Sequence, residues 1–182
     1  DVFDVNNEHL WREYVWPHGY YKNTDVVDLT DSAPILGAQF TQEAWIYVDR
    51  KTYPLVRQIF RSDSLLWSSP AIQIHSLSSI ENIHQIKYGF GDGTDSYINI
   101  VSVDLPLMAW HHIATTFDGT NYKLFINGVE VNNYTGASGT TPTATPVRYI
   151  GTNFEGKMDE IRMWNVARTQ SEIQDNMDKT LA

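Results

Sequence analysis

Apolar residues recur at every second position through most of this chain, and turn-forming residues interrupt them about every 8–12 positions. Residues 109–131, AWHHIATTFDGTNYKLFINGVEV, show the pattern most clearly. Residues 110–117 read as a strand. Asp118-Gly119 supplies a pair tolerant of left-handed backbone for a tight turn. Residues 122–126 alternate, with Tyr122, Leu124 and Ile126 on one side and Lys123 and Phe125 on the other. Asn127-Gly128 is a strong hairpin signal, and residues 129–131 begin the return strand.

The same reading extends in both directions. Residues 37–48 predict a strand with Phe40, Ala44, Ile46 and Val48 on one face and Thr41, Glu43, Trp45 and Tyr47 on the other. Both faces carry apolar side chains, so both are expected to be covered, as in a sandwich. Further strands are expected at 55–61, 71–77, 83–90, 97–103, 147–150 and 157–164, with another within 20–29. Residues 10–21, LWREYVWPHGYY, are broken by Pro17 and read as an aromatic strap. Residues 89–95, GFGDGTD, read as a turn, and 135–146, TGASGTTPTATP, as a flexible loop or extended crossover. Thr169 and Glu172 form a capping box, with Ile173 and Met177 one turn apart on the apolar face of a short helix. About ten short strands and one terminal helix predict an all-β fold. The expected architecture is a two-sheet antiparallel β-sandwich of jelly-roll type in a single domain, 1–182.

Composition narrows the functions. The 182 residues include no cysteine, which excludes disulfides, Cys-based metal sites and thiol catalysis. The formal net charge of −9 argues against nucleic acid as a partner. No apolar run is long enough to enter a bilayer as a spanning helix, so no membrane insertion is expected. The chain begins at Asp1, which suggests a processed chain or an excised module. Six Trp, ten Tyr and seven Phe suit stacking on sugar rings, although most such rings belong in a core.

Three segments carry a family resemblance. These are FTQEAWIYV at 40–48, WHHIATTFDGTNYKLFINGVEV at 110–131 and YIGTNFEGKMDEIRMWN at 149–165, the last followed by ARTQSEI. Together they resemble the laminin G-like branch of the concanavalin A-like superfamily, in particular the LamG-like jelly-roll domains. Residues 1–36 form an atypical N-terminal segment and match poorly, as does the region 62–95. The resemblance implies a non-catalytic module of a secreted or cell-surface protein, commonly one that binds glycans or other proteins. Many such modules hold Ca²⁺, and Asp159 matches a position that can ligate it. Asp25, Asp28 and Asp31 are candidate companions on their chemistry alone, because Ca²⁺ takes several oxygen ligands.

Neighbouring residues on a regular strand face opposite ways, so Asp159 and Glu160 are not expected to act together, whereas Glu160 and Arg162 share a face and can pair. His111 and His112 diverge for the same reason and are read as structural. No Ser-His-Asp, H-E-x-x-H or nucleophile-elbow motif occurs, and no strand carries the paired acids that glycoside hydrolysis needs. The candidate ligand contacts are Trp67, Tyr97, Asp92, Asp95, Tyr47 and Tyr53. The expected function is a Ca²⁺-stabilised carbohydrate-binding, lectin-like or adhesin module, with a glycan or glycoconjugate as partner and other domains of a larger protein as further candidate partners. The alternative is a structural or protein-binding module that takes no sugar. A glycan-cleaving enzyme is a distant third.

Overall fold

The computed structural model describes residues 2–3, 9–10, 26–48, 56–62, 67–76 and 83–179. Its strands in chain order are β1 (Val2–Phe3), β2 (His9–Leu10), β3 (Val27–Asp28), β4 (Phe40–Val48), β5 (Val56–Arg61), β6 (Ala71–Ser76), β7 (Ile83–Gly91) and β8 (Ser96–Asp104). β9 (Trp110–Phe117), β10 (Tyr122–Ile126), β11 (Val129–Tyr134), β12 (Tyr149–Thr152) and β13 (Gly156–Trp164) follow, and helix α1 (Gln170–Asn176) closes the series. All pairings are antiparallel. One sheet has the order β11-β10-β9-β4-β13, the other β3-β12-β5-β6-β7-β8, and β1 pairs with β2. The chain is therefore the two-sheet jelly roll that its pattern predicts. No helix among the described residues is long and apolar enough to cross a membrane.

Alternation decides which side chains enter the core. Phe40, Ala44, Ile46 and Val48 of β4 meet Ile72 and Ile74 of β6 and Ile86, Tyr88 and Phe90 of β7 between the sheets. Rings dominate one end of that interface. Phe90 lies 5.0 Å from Phe117, and Tyr88 meets Tyr122 edge-on at 4.8 Å. Such contacts add to what area burial already supplies.

The meander at 110–134 has the predicted strands. At the β10–β11 turn, Asn127 and Gly128 both have positive φ, at 49° and 73°. These values suit a two-residue hairpin turn that follows the strand twist. The β9–β10 connection is longer than Asp118-Gly119 alone. Only Gly119 there has a positive φ, and the Asp118 carboxylate accepts from the Thr120 and Asn121 amides, giving a four-residue loop closed by an Asx turn.

Two other boundaries differ from the sequence reading. The last short strand of the six-stranded sheet starts at Tyr149, because Val147 donates its amide to the Pro34 carbonyl instead of entering the ladder. The segment 135–146 is fixed to the body: Ala137 is buried in the core, and the Thr143 amide bonds the Gly91 carbonyl.

The outer face of the five-stranded sheet is covered by α1 and its flanks. The Thr169 capping box is present as predicted. Ile173 packs onto Ala114 and Phe125, Trp45 Nε1 donates to the Met177 carbonyl at 2.6 Å, and Gln174 Nε2 donates to the Gly128 carbonyl at 2.8 Å.

Candidate functional site

Strand register builds rows across that outer face. Lys157 of β13, Tyr47 of β4 and Trp110 of β9 stand directly opposite one another, and so do Asp159, Trp45 and His112. In the first row the Tyr47 and Trp110 rings lie 5.6 Å apart, with the Lys157 ammonium 5.2 Å above Tyr47. In the second, Trp45 meets His112 edge-on at 5.4 Å. The end of α1 stops short of covering the rows completely. A cleft of about 370 Å³ remains, lined by Trp45, Trp110, Asp159, Glu160, Met177 and Asp178.

A β-bulge shapes one wall. Between Asp159 and Arg162 the register shifts by one residue, and Glu160 takes a φ of 45°. The extra residue breaks strict alternation, as bulges do. Glu160 therefore lines the cleft together with Asp159, contrary to the expectation that they diverge, and its amide donates to Asp159 Oδ1. The expected pairing of Glu160 with Arg162 is present at 2.6 Å.

Arg162 organises what lies beneath. It is 2% exposed and donates to Glu43 Oε1, Glu160 Oε2 and the carbonyls of Asn176 and Lys179. The guanidinium thus ties the last residue of α1, whose carbonyl also accepts from the Lys179 amide, and the segment after it to the sheet. Trp164 Nε1 donates to the same Glu43 oxygen. Burial pushes the Glu43 carboxyl up, opposed by Arg162.

His112 is fully buried, and its Nε2 lies 3.7 Å from Glu43 Oε2. Burial, reinforced by the Arg162 charge, lowers its pKa from 6.5 to about 4. Between those values the unfolded chain binds a proton that folded His112 refuses, so stability is lost as pH falls through this window. Glu43 acts in the opposite sense, because its raised pKa removes stability as pH rises. Denaturation of the wild type and His112→Gln at pH 7 and pH 5 checks the sign: the variant is expected to lose less stability on acidification.

The candidate contacts read from the sequence fall in several places. Tyr47 stands in the aromatic row, next to the cleft. Trp67 is 8% exposed, with a φ of 71° in the turn before β6. Asp92 closes the β7–β8 turn by accepting from the Thr94 and Asp95 amides and the Tyr97 hydroxyl. The Asp95 and Thr94 amides hold the Asp92 carboxyl below the usual carboxylate range. Trp67, Asp92, Asp95 and Tyr97 thus cluster around one end of the six-stranded sheet, where Asp92 and Tyr97 serve the turn. Tyr53 lies outside the described residues, as do Asp25 and residues 11–21. The sequence reading did not select Trp45, Trp110, Met177 or Asp178. The sequence reading placed Trp45 on the same strand face as Tyr47, but the meeting of these residues with Trp110 and the end of α1 depends on register and docking.

The expected calcium ligands do not assemble among the described residues. Asp28 lies in the six-stranded sheet, where Arg148 Nε and Nη2 bind its two oxygens at 2.8 and 3.1 Å. Asp31 is exposed on a short 3₁₀ turn, and Asp159 belongs to the five-stranded sheet. No three His, Asp or Glu side chains among the described residues gather as a ligand set, and Asp28, Asp31 and Asp159 are not brought together as one.

The chain belongs to the concanavalin A-like lectin/glucanases superfamily, whose pattern matches residues 21–174. It is 31% identical over 121 residues to pappalysin-1 of Mus musculus, a match that takes in 58% of this chain and 7% of that protein. Among solved structures it is similar to domain 4 of AbnA, an extracellular arabinanase of Geobacillus stearothermophilus, in complex with arabinotriose. That likeness has a TM-score of 0.57 and 17% identity, over 86% of this chain and 74% of the other. The CBM40 of the Ruminococcus gnavus IT-sialidase, bound to α2,3-sialyllactose, gives 0.60 and 12%, over 87% and 95%. At these identities the two likenesses are likenesses of fold.

Proposed function

We propose that this chain is a non-catalytic glycan-binding module of a larger secreted or cell-surface protein, and that it binds sugar at the cleft beside the end of α1. The observation that carries the reading is the pair of cross-strand rows that brings Trp45, Tyr47 and Trp110 together next to carboxylates. Indole faces cover the C–H face of a pyranose, and carboxylate oxygens accept hydrogen bonds from its hydroxyls. The rows stand on β-strands, so the platform is rigid before ligand arrives. The family and the sugar-bound structural relatives point the same way. A bond-cleaving role fits less well, because Glu160 is engaged by Arg162 and so is a poor partner for Asp159 in a two-carboxylate mechanism.

Trp110→Ala tests the reading. Trp110 is 39% exposed, so its loss is expected to cost about 1 kcal/mol of stability or less. Binding on a glycan array or an affinity gel is expected to fall about tenfold or more. Unchanged binding by the folded variant would move the site elsewhere.

The reading is complete without calcium. A thermal melt with and without chelator is expected to give the same midpoint. A fall of several degrees on chelation would restore the ion, because a ligand bound only by the folded state stabilises it by mass action.

A further inference from the structure

We infer that the cleft selects uncharged sugars and turns away acidic ones, those carrying a carboxylate or sulfate near the stacked ring. This inference rests on the glycan-binding reading and adds the class of ligand. Among the described residues the lining holds two indoles, a thioether and three carboxylates, with no Lys, Arg or His. Two described cations beside the cleft are engaged by other groups. The Lys157 ammonium sits over Tyr47, one row away from Asp159, and the Arg162 guanidinium is buried beneath the floor on Glu43, Glu160 and the two carbonyls. Among the described residues, neither Asp159 nor Asp178 has a basic partner. An acidic sugar held against the described lining of this cleft would therefore lose water from its own anion, find no cation in that lining to replace it, and face two like charges. A neutral pyranose pays none of these costs, and its hydroxyls suit the same oxygens as acceptors. The chain's net charge of −9 repels anions at longer range as well.

The test is an array of neutral oligosaccharides, each printed beside a counterpart bearing sialic acid, a uronic acid or sulfate, followed by titration of the best neutral binder and its acidic counterpart. The neutral member is expected to bind, and the acidic one to bind about tenfold more weakly in dilute buffer, the scale of one or two unscreened like charges a few ångströms away. The gap is expected to narrow in 1 M NaCl, where charges are screened beyond about 3 Å, and in the double variant D159N/D178N. Equal or tighter binding of the acidic member overturns the inference while leaving glycan binding intact, as does a gap that neither salt nor the double variant changes. Binding of no sugar at all fells the glycan reading itself, and this inference with it.

Discussion

Arg162→Ala is expected to lower the melting temperature by about 10 °C or more. The guanidinium is 2% exposed, and its loss strands the Glu43 and Glu160 carboxylates and removes its bonds to the Asn176 and Lys179 carbonyls. Removing one member of a buried ionic network costs about 3–5 kcal/mol. In a domain of this size each kcal/mol shifts the midpoint by roughly 2–4 °C. The energy lies in the stranded partners more than in the attraction itself. The double variant Glu43→Gln/Arg162→Met is therefore expected to be more stable than Arg162→Met alone. Lysine is a poor substitute, since one ammonium cannot reproduce the planar fork that reaches both carboxylates. A midpoint for Arg162→Ala within 2 °C of wild type would show that the network has no structural weight.

Gly156→Ala is expected to be nearly as damaging, at about 4 kcal/mol. Gly156 opens β13 opposite Val48 with a φ of 143°, a conformation that side chains rarely adopt. A Cβ there would stand 1.9 Å from the Tyr47 carbonyl oxygen and 3.1 Å from the Phe154 ring. The carbonyl belongs to the neighbouring strand, so the clash is relieved only by pushing β13 away from β4. That displacement would also disturb the row from Lys157 through Tyr47 to Trp110. Urea denaturation should show the loss of stability as a lower midpoint with an unchanged slope. A variant as stable as wild type would mean that the β4–β13 edge yields far more easily than a paired ladder should.

These two positions mark where sequence reading works and where it stops. The strands of the meander and its second turn were legible, because Asn127-Gly128 and the alternation of 122–126 are local signals that tertiary contacts reinforce. The capping box of Thr169 and Glu172 was legible for the same reason. The bulge at Glu160 was not, since nothing in DEIR marks a glutamate for left-handed backbone; the alternation rule then set Asp159 and Glu160 apart when the structure brings them together. The cleft was hidden more deeply. Its lining comes from positions 45, 110, 159, 160, 177 and 178, and only the register of three strands and the docking of α1 make them neighbours. Trp67, a candidate contact from the sequence, is only 8% exposed, and its exposure was set by the turn before β6, which no local signal marked. The family resemblance was readable because its motifs lie in the sheets, where spacing is rigid, while the binding surface depends on what packs over them.

The seating of α1 on the sheet has a thermodynamic consequence. Met177 and Asp178 form one wall of the cleft, and they are held there by a few directional bonds and a small apolar contact. Such peripheral elements can open while the rest of a domain stays folded. A guest touching both floor and wall binds the closed arrangement more tightly than the open one. By reciprocity, whatever tightens the terminal turn of the helix raises affinity for the guest by the same free energy, and occupancy in turn secures the helix.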